Sequence, residues 1–314
     1  MKKKVNFIIP YFGKFPNYMQ LYLNSCAKNP DFHWTLFTDD YDKYFYPDNV
    51  KVVHTTFEEI KKSIQEKFDF PIILKRPYKL CDMKPMYGYL FEEYNVDYDY
   101  WGYCDVDVIL GNLKEFITDE ILIYDKLFTQ GHMTLMKNSP KINRLFMTPI
   151  NGQEYYKTVL QSQDSYNFDE DFLDKININT ICRQQGIEIW ENAMIADIYT
   201  KSSDFRRITN EGIERKSKNY YVWNNGKLFR QIKVTNKWFA EEYMYIHLQK
   251  RNMKVNVSLD SLIFKIIPNE FALIEINKED IGIKDDIVKV KNVNLHYFKI
   301  RFKNLKIKLK RRFM

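Results

Sequence analysis

Trp101-Gly102-Tyr103-Cys104-Asp105-Val106-Asp107-Val108-Ile109-Leu110-Gly111-Asn112 is the stretch on which the reading of this chain turns. Two aspartates stand one residue apart in a run otherwise apolar enough to be a buried strand. A buried carboxylate is costly unless it is paired or holds a metal. Side chains alternate along a strand, so Asp105 and Asp107 are expected to point to one side. Gly111-Asn112 then supplies turn chemistry where the strand ends. Two carboxylates on one side of a strand end suit a hard divalent cation, Mg²⁺ or Mn²⁺, which could in turn hold a diphosphate. The spacing alone is common in solvated acidic loops, and Asn95-Val96-Asp97-Tyr98-Asp99 just upstream reads as one. Tyr103, Cys104, Val106, Val108, Ile109 and Leu110 give the second pair a core context instead.

Outward from this stretch, Val5–Ile9 reads as a short strand ended by Pro10-Tyr11-Phe12-Gly13. A helix follows, with Pro16 near its first turn, Pro30 as its stop, and Met19, Tyr22, Leu23 and Cys26 at helical spacing. His33–Thr38 is the next strand, ending at Asp39-Asp40, and Val50–Val53 a third. Thr56 and Glu59 form a capping box, with Phe57, Ile60 and Ile64 on one helix face. Tyr87, Leu90, Phe91 and Tyr94 stripe another helix before the aspartate strand. This β-α-β-α-β alternation implies an α/β fold, a mostly parallel sheet with helices on both faces. Ligands of such sheets bind at the carboxyl ends of strands, where Asp39, Asp105 and Asp107 fall.

Further on, a strand is expected around Met133–Met136. Ser139-Pro140 opens a helix with Ile142, Leu145 and Phe146 inward. Phe172–Gln185 reads as helix and Glu188–Trp190 as strand. Tyr220–Trp223 and Leu228–Val234 flank Asn224-Asn225-Gly226, a hairpin signal. Ala240–Arg251 reads as a helix on which His247, Lys250 and Arg251, at i, i+3 and i+4, share a face. Neutral imidazole can bind Mn²⁺ while the two cations balance charge on a leaving group. One catalytic domain over 1–268 is the simplest division, with halves 1–115 and 116–268. Residues 269–314 form an extension.

Of the 314 residues, 45% are hydrophobic and 16% aromatic, enough for one large or two ordinary cores. Cys26, Cys81, Cys104 and Cys182 are far apart and in apolar settings, so no zinc site is expected and buried thiols fit a reducing compartment. The apolar run before Pro10 is too short for a signal peptide, and nothing approaches bilayer-spanning length. A cytoplasmic protein is expected. The net charge of +7 is concentrated from Tyr297 to Met314, which holds eight basic residues and no acid, so the rest is about neutral. Phe298, Phe302, Leu305, Leu309 and Phe313 form a helical stripe there. That pattern suits a tail lying on an anionic membrane surface, at the inner face of the plasma membrane. Leu305, Ile307 and Leu309 also alternate as in a strand. Salt-sensitive co-sedimentation with anionic vesicles, lost when the chain is cut before Tyr297, tests the docking reading.

With these elements placed, the chain resembles GT-A glycosyltransferases, and more closely a group of bacterial glycosyltransferases of polysaccharide clusters. It is more distantly similar to glycosyltransferase families eight and thirty-two. The matching segments are Tyr78–Pro85, the Trp101–Asn112 block with its Asp-X-Asp signature, Gly131–Leu135, Phe168-Asp169-Glu170 and Tyr245–Arg251. The resemblance implies a GT-A-type, Rossmann-like sheet and a UDP-sugar donor. The acceptor would be a surface or capsular polysaccharide, free or lipid-linked. It puts Pro10, Tyr11 and Asp39 around the nucleoside, Asp82 near the ribose or donor sugar, and Lys84 on the donor side. Asp105 would face ribose and metal, Asp107 would be the main ligand of Mn²⁺ or Mg²⁺, and His247 would complete that site. Lys250 or Arg251 would meet the diphosphate. His132 would line a sugar pocket, and Asp169, ahead of Glu170, is the candidate base.

Two other classes remain. A metal-dependent nucleotidyltransferase could use the same sheet and carboxylates, but Tyr11-Phe12-Gly13-Lys14 is a poor match to a Gly-rich phosphate loop. A catalytically dead protein whose basic tail binds RNA is disfavoured because no RNA-binding motif accompanies the tail. No nucleic acid partner is expected.

Overall fold

The computed structural model of the chain describes residues 3–171, 175–200, 202, 204–235, 237–249, 251, 253–274, 298, 301–302 and 305–306. It is an α/β protein in two compact units. The first consists of the described residues up to Phe15, with Asn29–Asp105 and Lys114–Ala193. The second consists of Pro16–Lys28, Val106–Leu113 and the described residues from Met194 on. Both units draw on each of the sequence halves 1–115 and 116–268.

The first unit is built on strands β1 (Val5–Pro10), β2 (Phe32–Thr38), β3 (Val50–His54), β4 (Tyr100–Cys104), β6 (Lys126–Gln130), β7 (Met133–Lys137) and β8 (Ile189–Trp190). They form one sheet in the order β3-β2-β1-β4-β7-β6-β8. Parallel pairing joins β1 to β2 and β4, β2 to β3, and β6 to β8. β7 is antiparallel to both β4 and β6, so the sheet is mixed. Among the described residues this unit has the α-helices α2 (Phe57–Glu66), α3 (Tyr87–Leu90), α4 (Pro140–Asn143), α5 (Tyr155–Leu160) and α6 (Ile178–Gln184). The Thr56–Glu59 capping box forms at α2, and Ile60 and Ile64 face inward. Ser139 caps α4, with Ile142, Leu145 and Phe146 buried. Ile8, Phe37, Met83, Met86, Trp101 and Tyr103 belong to the core cluster under the sheet. Gly102 in β4 is required by close approach: a Cβ there would stand 2.3 Å from the Thr134 carbonyl oxygen of β7.

The second unit carries α1 (Met19–Ala27), β5 (Val108–Leu110) and β9 (Ile195–Asp197). It also has β10 (Ile208–Thr209), β11 (Gly212–Ile213), β12 (Asn219–Asn224), β13 (Lys227–Val234), β14 (Lys237–Tyr243), β15 (Tyr245–His247), β16 (Lys254–Asn256), β17 (Ile263–Ile267) and β18 (Glu270–Ala272). Its sheets are a mostly antiparallel one in the order β14-β13-β12-β17-β18-β16, a three-stranded β5-β15-β9, and the small β10-β11 ribbon. Asn225 (φ 46°) and Gly226 (φ 94°) are both left-handed, the backbone that a two-residue β12–β13 hairpin requires. Tyr221, Trp223, Tyr243, Ile246 and Phe264 belong to this unit's core.

Several expectations are corrected. Asp105 and Asp107 are not on one continuous strand: β4 ends at Cys104 and β5 begins at Val108, with a bend between. Charged groups leave the ladder where the chain passes from one unit's sheet to the other's. Ala240–Arg251 is not a helix. Trp238, Phe239, Tyr243, Tyr245 and Ile246 are strand formers, and antiparallel pairing with β13 takes the segment into β14. Gln249, at φ 50°, ends the run. Of the helix expected over Phe172–Gln185, residues 172–174 lie outside the described residues, 175–177 are not helical, and α6 starts at Ile178, where Asn177 and Thr180 make a capping box. The Tyr87–Tyr94 stripe is one short turn of α-helix between the 3₁₀ segments Pro77–Met86 and Glu92–Tyr94.

Among the described residues no helix is long and apolar enough to cross a membrane. Of the tail stripe, Phe298, Phe302 and Leu305 are exposed. Leu309 and Phe313 lie outside the described residues, as does Lys250.

Candidate functional site

At the carboxyl ends of β1 and β2 the first unit presents Pro10, Tyr11 and Asp39. The Tyr11 amide donates to the Phe37 carbonyl (2.8 Å), its ring stacks on Phe15 (centroids 4.9 Å apart), and its hydroxyl donates to the Lys14 carbonyl (3.1 Å). The exposed Asp39 carboxylate accepts the Gly13 amide (2.7 Å). Three of the candidate nucleoside residues therefore share the ligand edge of the parallel strands.

Lys84, expected on the donor side, is instead a buried clamp. Its Nζ donates to Asp105 Oδ1 (2.7 Å) and to the Gly131 carbonyl (2.6 Å), and lies 3.6 Å from Asp169 Oδ2. Burial alone would lower its pKa, but the charges of Asp105, Cys81 and Asp169 and the hydrogen bond to Asp105 together outweigh this and hold the ammonium well above its usual value. Asp82, expected near the ribose, turns inward as well. It is 1% exposed and accepts the amides of Tyr166 (3.0 Å) and Phe168 (3.4 Å) and the Lys79 ammonium (2.9 Å). Its carboxylate fixes the segment that delivers Asp169.

Asp169 sits against this clamp. The Tyr103 hydroxyl donates to its carbonyl (3.1 Å), and its carboxyl is buried. Burial, opposed by Lys84 and reinforced by Glu170 and Asp105, pushes its pKa up to about 7. Gly131 makes the approach possible, since a Cβ there would lie 2.6 Å from Asp169 Oδ2 and 2.9 Å from Glu170 Oε2. His132 is buried, and its carbonyl accepts the Asp105 amide (3.0 Å), so its backbone sets the position of Asp105.

The raised pKa of Asp169 has a consequence for stability. The folded state holds this proton more tightly than the unfolded chain, so the contribution is present below about pH 4 and lost as pH rises through about 7. Asp169→Asn should raise the unfolding free energy at pH 8, by up to about 4 kcal/mol, and leave it nearly unchanged at pH 4. Chemical unfolding at the two pH values checks this. A loss of stability at pH 8 would show that the carboxylate is held ionised.

The β6–β7 turn behind Gly131 is irregular in a way the sequence did not signal. Phe128 is buried at φ 69°, and the pairing of β6 with β7 shifts register there. Three side chains take up its carbonyls: Lys126 on Phe128, Asn179 on Thr129 (3.0 Å) and Thr134 on Gln130 (2.9 Å). Burial lowers the Lys126 pKa to about 8. Strained backbone of this kind persists where surrounding structure over-determines it.

In the second unit, β15 lies between β5 and β9. This brings His247 from the far end of the chain beside Asp107: Nε2 is 3.4 Å from Asp107 Oδ1. On its other side Nδ1 is 2.8 Å from Asp197 Oδ1, and Gln249 also donates to that oxygen (2.6 Å). The Asp107 carbonyl accepts the Leu248 amide (2.9 Å), fixing the backbone. Burial would lower the imidazole pKa, but the charge and hydrogen bond of Asp107, then Asp197, raise it to about 10. Asp197 is a candidate site residue that the sequence reading missed. Its signal is the same as that of Asp39, an acid closing a short apolar strand. Arg251 does not share a face with His247. Its buried guanidinium donates to the carbonyls of Tyr199 (3.2 Å) and Ser202 (3.1 Å), and to Asn269 (3.2 Å).

A carboxylate, an imidazole and a second carboxylate on the far imidazole nitrogen form a set that metal-binding histidines commonly use. The outer carboxylate fixes the tautomer and turns Nε2 toward the cation.

Residues 7–275 match the model of a family described as "Family of unknown function (DUF6625)", and the chain belongs to that family. No curated protein matches the chain.

Proposed function

We propose that this protein is a metal-dependent glycosyltransferase of GT-A type, moving a sugar from a UDP-sugar to a saccharide of a surface polysaccharide, free or lipid-linked. The observation that carries the reading is the Asp107–His247–Asp197 row. An acid in the Asp-X-Asp signature meets a histidine from the last matching segment, with a carboxylate behind it. Oxygen and imidazole donors fit Mn²⁺ or Mg²⁺. Asp107 and His247 would hold the ion, with Asp105, two residues away along the chain, as a further carboxylate. When bound, the cation would neutralise charge on the departing diphosphate.

The chain's own groups supply the rest. Asp197 holds the His247 ring in place. Lys84 and the His132 carbonyl fix Asp105, and Asp82 fixes the segment leading to Asp169. Asp169, with a pKa near the working pH, takes the proton from the acceptor hydroxyl. Tyr11, Pro10 and Asp39 hold the nucleoside at the sheet edge. His132 borders the sugar.

The test is UDP release from a panel of UDP-sugars by the full chain, with Mn²⁺ or with EDTA. Release from at least one donor, dependent on the metal and absent with GDP- and CMP-sugars, is expected. No release from any UDP-sugar, or equal release in EDTA, would overturn the proposal.

A further inference from the structure

Strand β14 closes one side of the six-stranded sheet, and among the described residues no strand pairs with its outer edge. Proteins usually blunt such edges with short strands, prolines, bulges or repeated lysines. β14 is neither short nor broken by a proline or a bulge: it is 7 residues long and pairs regularly with β13 from Lys237 to Tyr243, and its charges are of both signs, Lys237 against Glu241 and Glu242. Its side chains at 237, 239, 241 and 243 form one row. Tyr243 is buried in the core, whereas Lys237, Phe239 and Glu241 continue the row to the surface, with Phe239 51% exposed; Glu241 is exposed as well, although one carboxylate oxygen accepts the Tyr243 hydroxyl (3.1 Å) and lies 3.7 Å from Arg230.

The row is self-complementary. Val234 pairs with Lys237 across a two-residue connection, which makes them a hydrogen-bonded pair. The backbone groups of 237, 239 and 241 then face β13, and those of Trp238 and Ala240 face outward. A two-fold axis at Phe239 would let Trp238 and Ala240 exchange hydrogen bonds with Ala240 and Trp238 of a second copy. It would set the two Phe239 rings side by side. Each Lys237 would lie opposite a Glu241, in the pairs where side chains come closest. Moving the axis to Ala240 would set Phe239 against Glu241, and moving it to Glu241 would oppose like charges.

We propose that β14 is the dimerisation edge of this protein. A second copy adds antiparallel about Phe239 and makes one continuous sheet through both chains. The occupant is argued from charge: the edge carries a cation and an anion placed symmetrically about an exposed aromatic ring, a pattern that its own copy matches.

Sedimentation equilibrium of the full chain over a concentration series tests this, with melting temperature as the check on folding. The expected result is a reversible monomer–dimer equilibrium. Phe239→Asp should raise the dissociation constant about a hundredfold, and Lys237→Glu about tenfold. Adding Glu241→Lys to Lys237→Glu should restore dimerisation. A wild-type chain that stays monomeric throughout, or a dimer indifferent to both single substitutions in folded protein, would overturn the proposal.

Discussion

Lys84→Met should cost about 3–5 kcal/mol of stability, the penalty for removing one partner from a buried ionic cluster. The ammonium is the group that Asp105, Asp169 and the Gly131 carbonyl all face. A methionine fills the space but leaves one carboxylate and one carbonyl without their donor. Asp169 can escape by staying protonated. Combining Lys84→Met with Asp169→Asn should therefore cost less than the sum of the two free-energy changes, because one buried charge disappears with the other. Urea unfolding of the two single variants and the double variant measures this. A loss under about 1 kcal/mol for Lys84→Met would mean that water reaches the cluster.

Asp107→Asn should weaken Mn²⁺ binding by about a hundredfold or more and abolish metal-dependent donor turnover, in a chain that still folds but melts lower at neutral pH, because the His247 imidazolium loses the carboxylate that holds its proton. Asp197→Asn should cost about 10–100-fold, because the imidazole stays but loses the group that orients it. Binding is followed by calorimetry without any substrate, so the metal question is answered separately from the sugar. The raised pKa of His247 adds a sign to this experiment. Metal needs a bare Nε2, while the metal-free site keeps a proton there up to about pH 10. Mn²⁺ affinity should thus climb as pH rises across the neutral range, with proton release on binding. Affinity independent of pH would remove His247 from the ligand set.

Much of the fold was legible where local signals and tertiary pairing agreed. The buried runs of β1 and β2, the Thr56–Glu59 capping box and the Asn225-Gly226 turn each carry their structure in a few adjacent residues. Ala240–Arg251 failed because its apolar residues fit either period, and the choice between helix and strand lay with β13, outside the segment. The proximity of His247 to Asp107 survived that error, but by a strand register and not by a helix face. Lys84 and Asp82 were legible as important and not as buried. A sequence shows charge but does not show that Gly131 or Tyr166 will close over it. Asp197 was passed over because, although it too closes a short apolar strand, its partner is defined only by a parallel pairing of two 3-residue strands.

The threading of the chain through its two units sets a timetable for assembly. Val106–Leu113 is a short excursion out of the first unit; Ser25 of the earlier α1 already accepts its Leu110 amide, but strand β5 finds its strand partner only in a segment made far later. The Trp223 indole caps the Leu110 carbonyl across 113 positions of sequence, and β15 follows later still. Contacts of such separation form slowly and after the local ones. On the ribosome, the first unit's sheet can close while Asp107 still waits for its imidazole. A nascent chain halted before β15 would display the Asp-X-Asp signature without the His247 contact, and chaperone capture of such chains should end only once β17 and β18, which complete the second unit's sheet and core, have emerged.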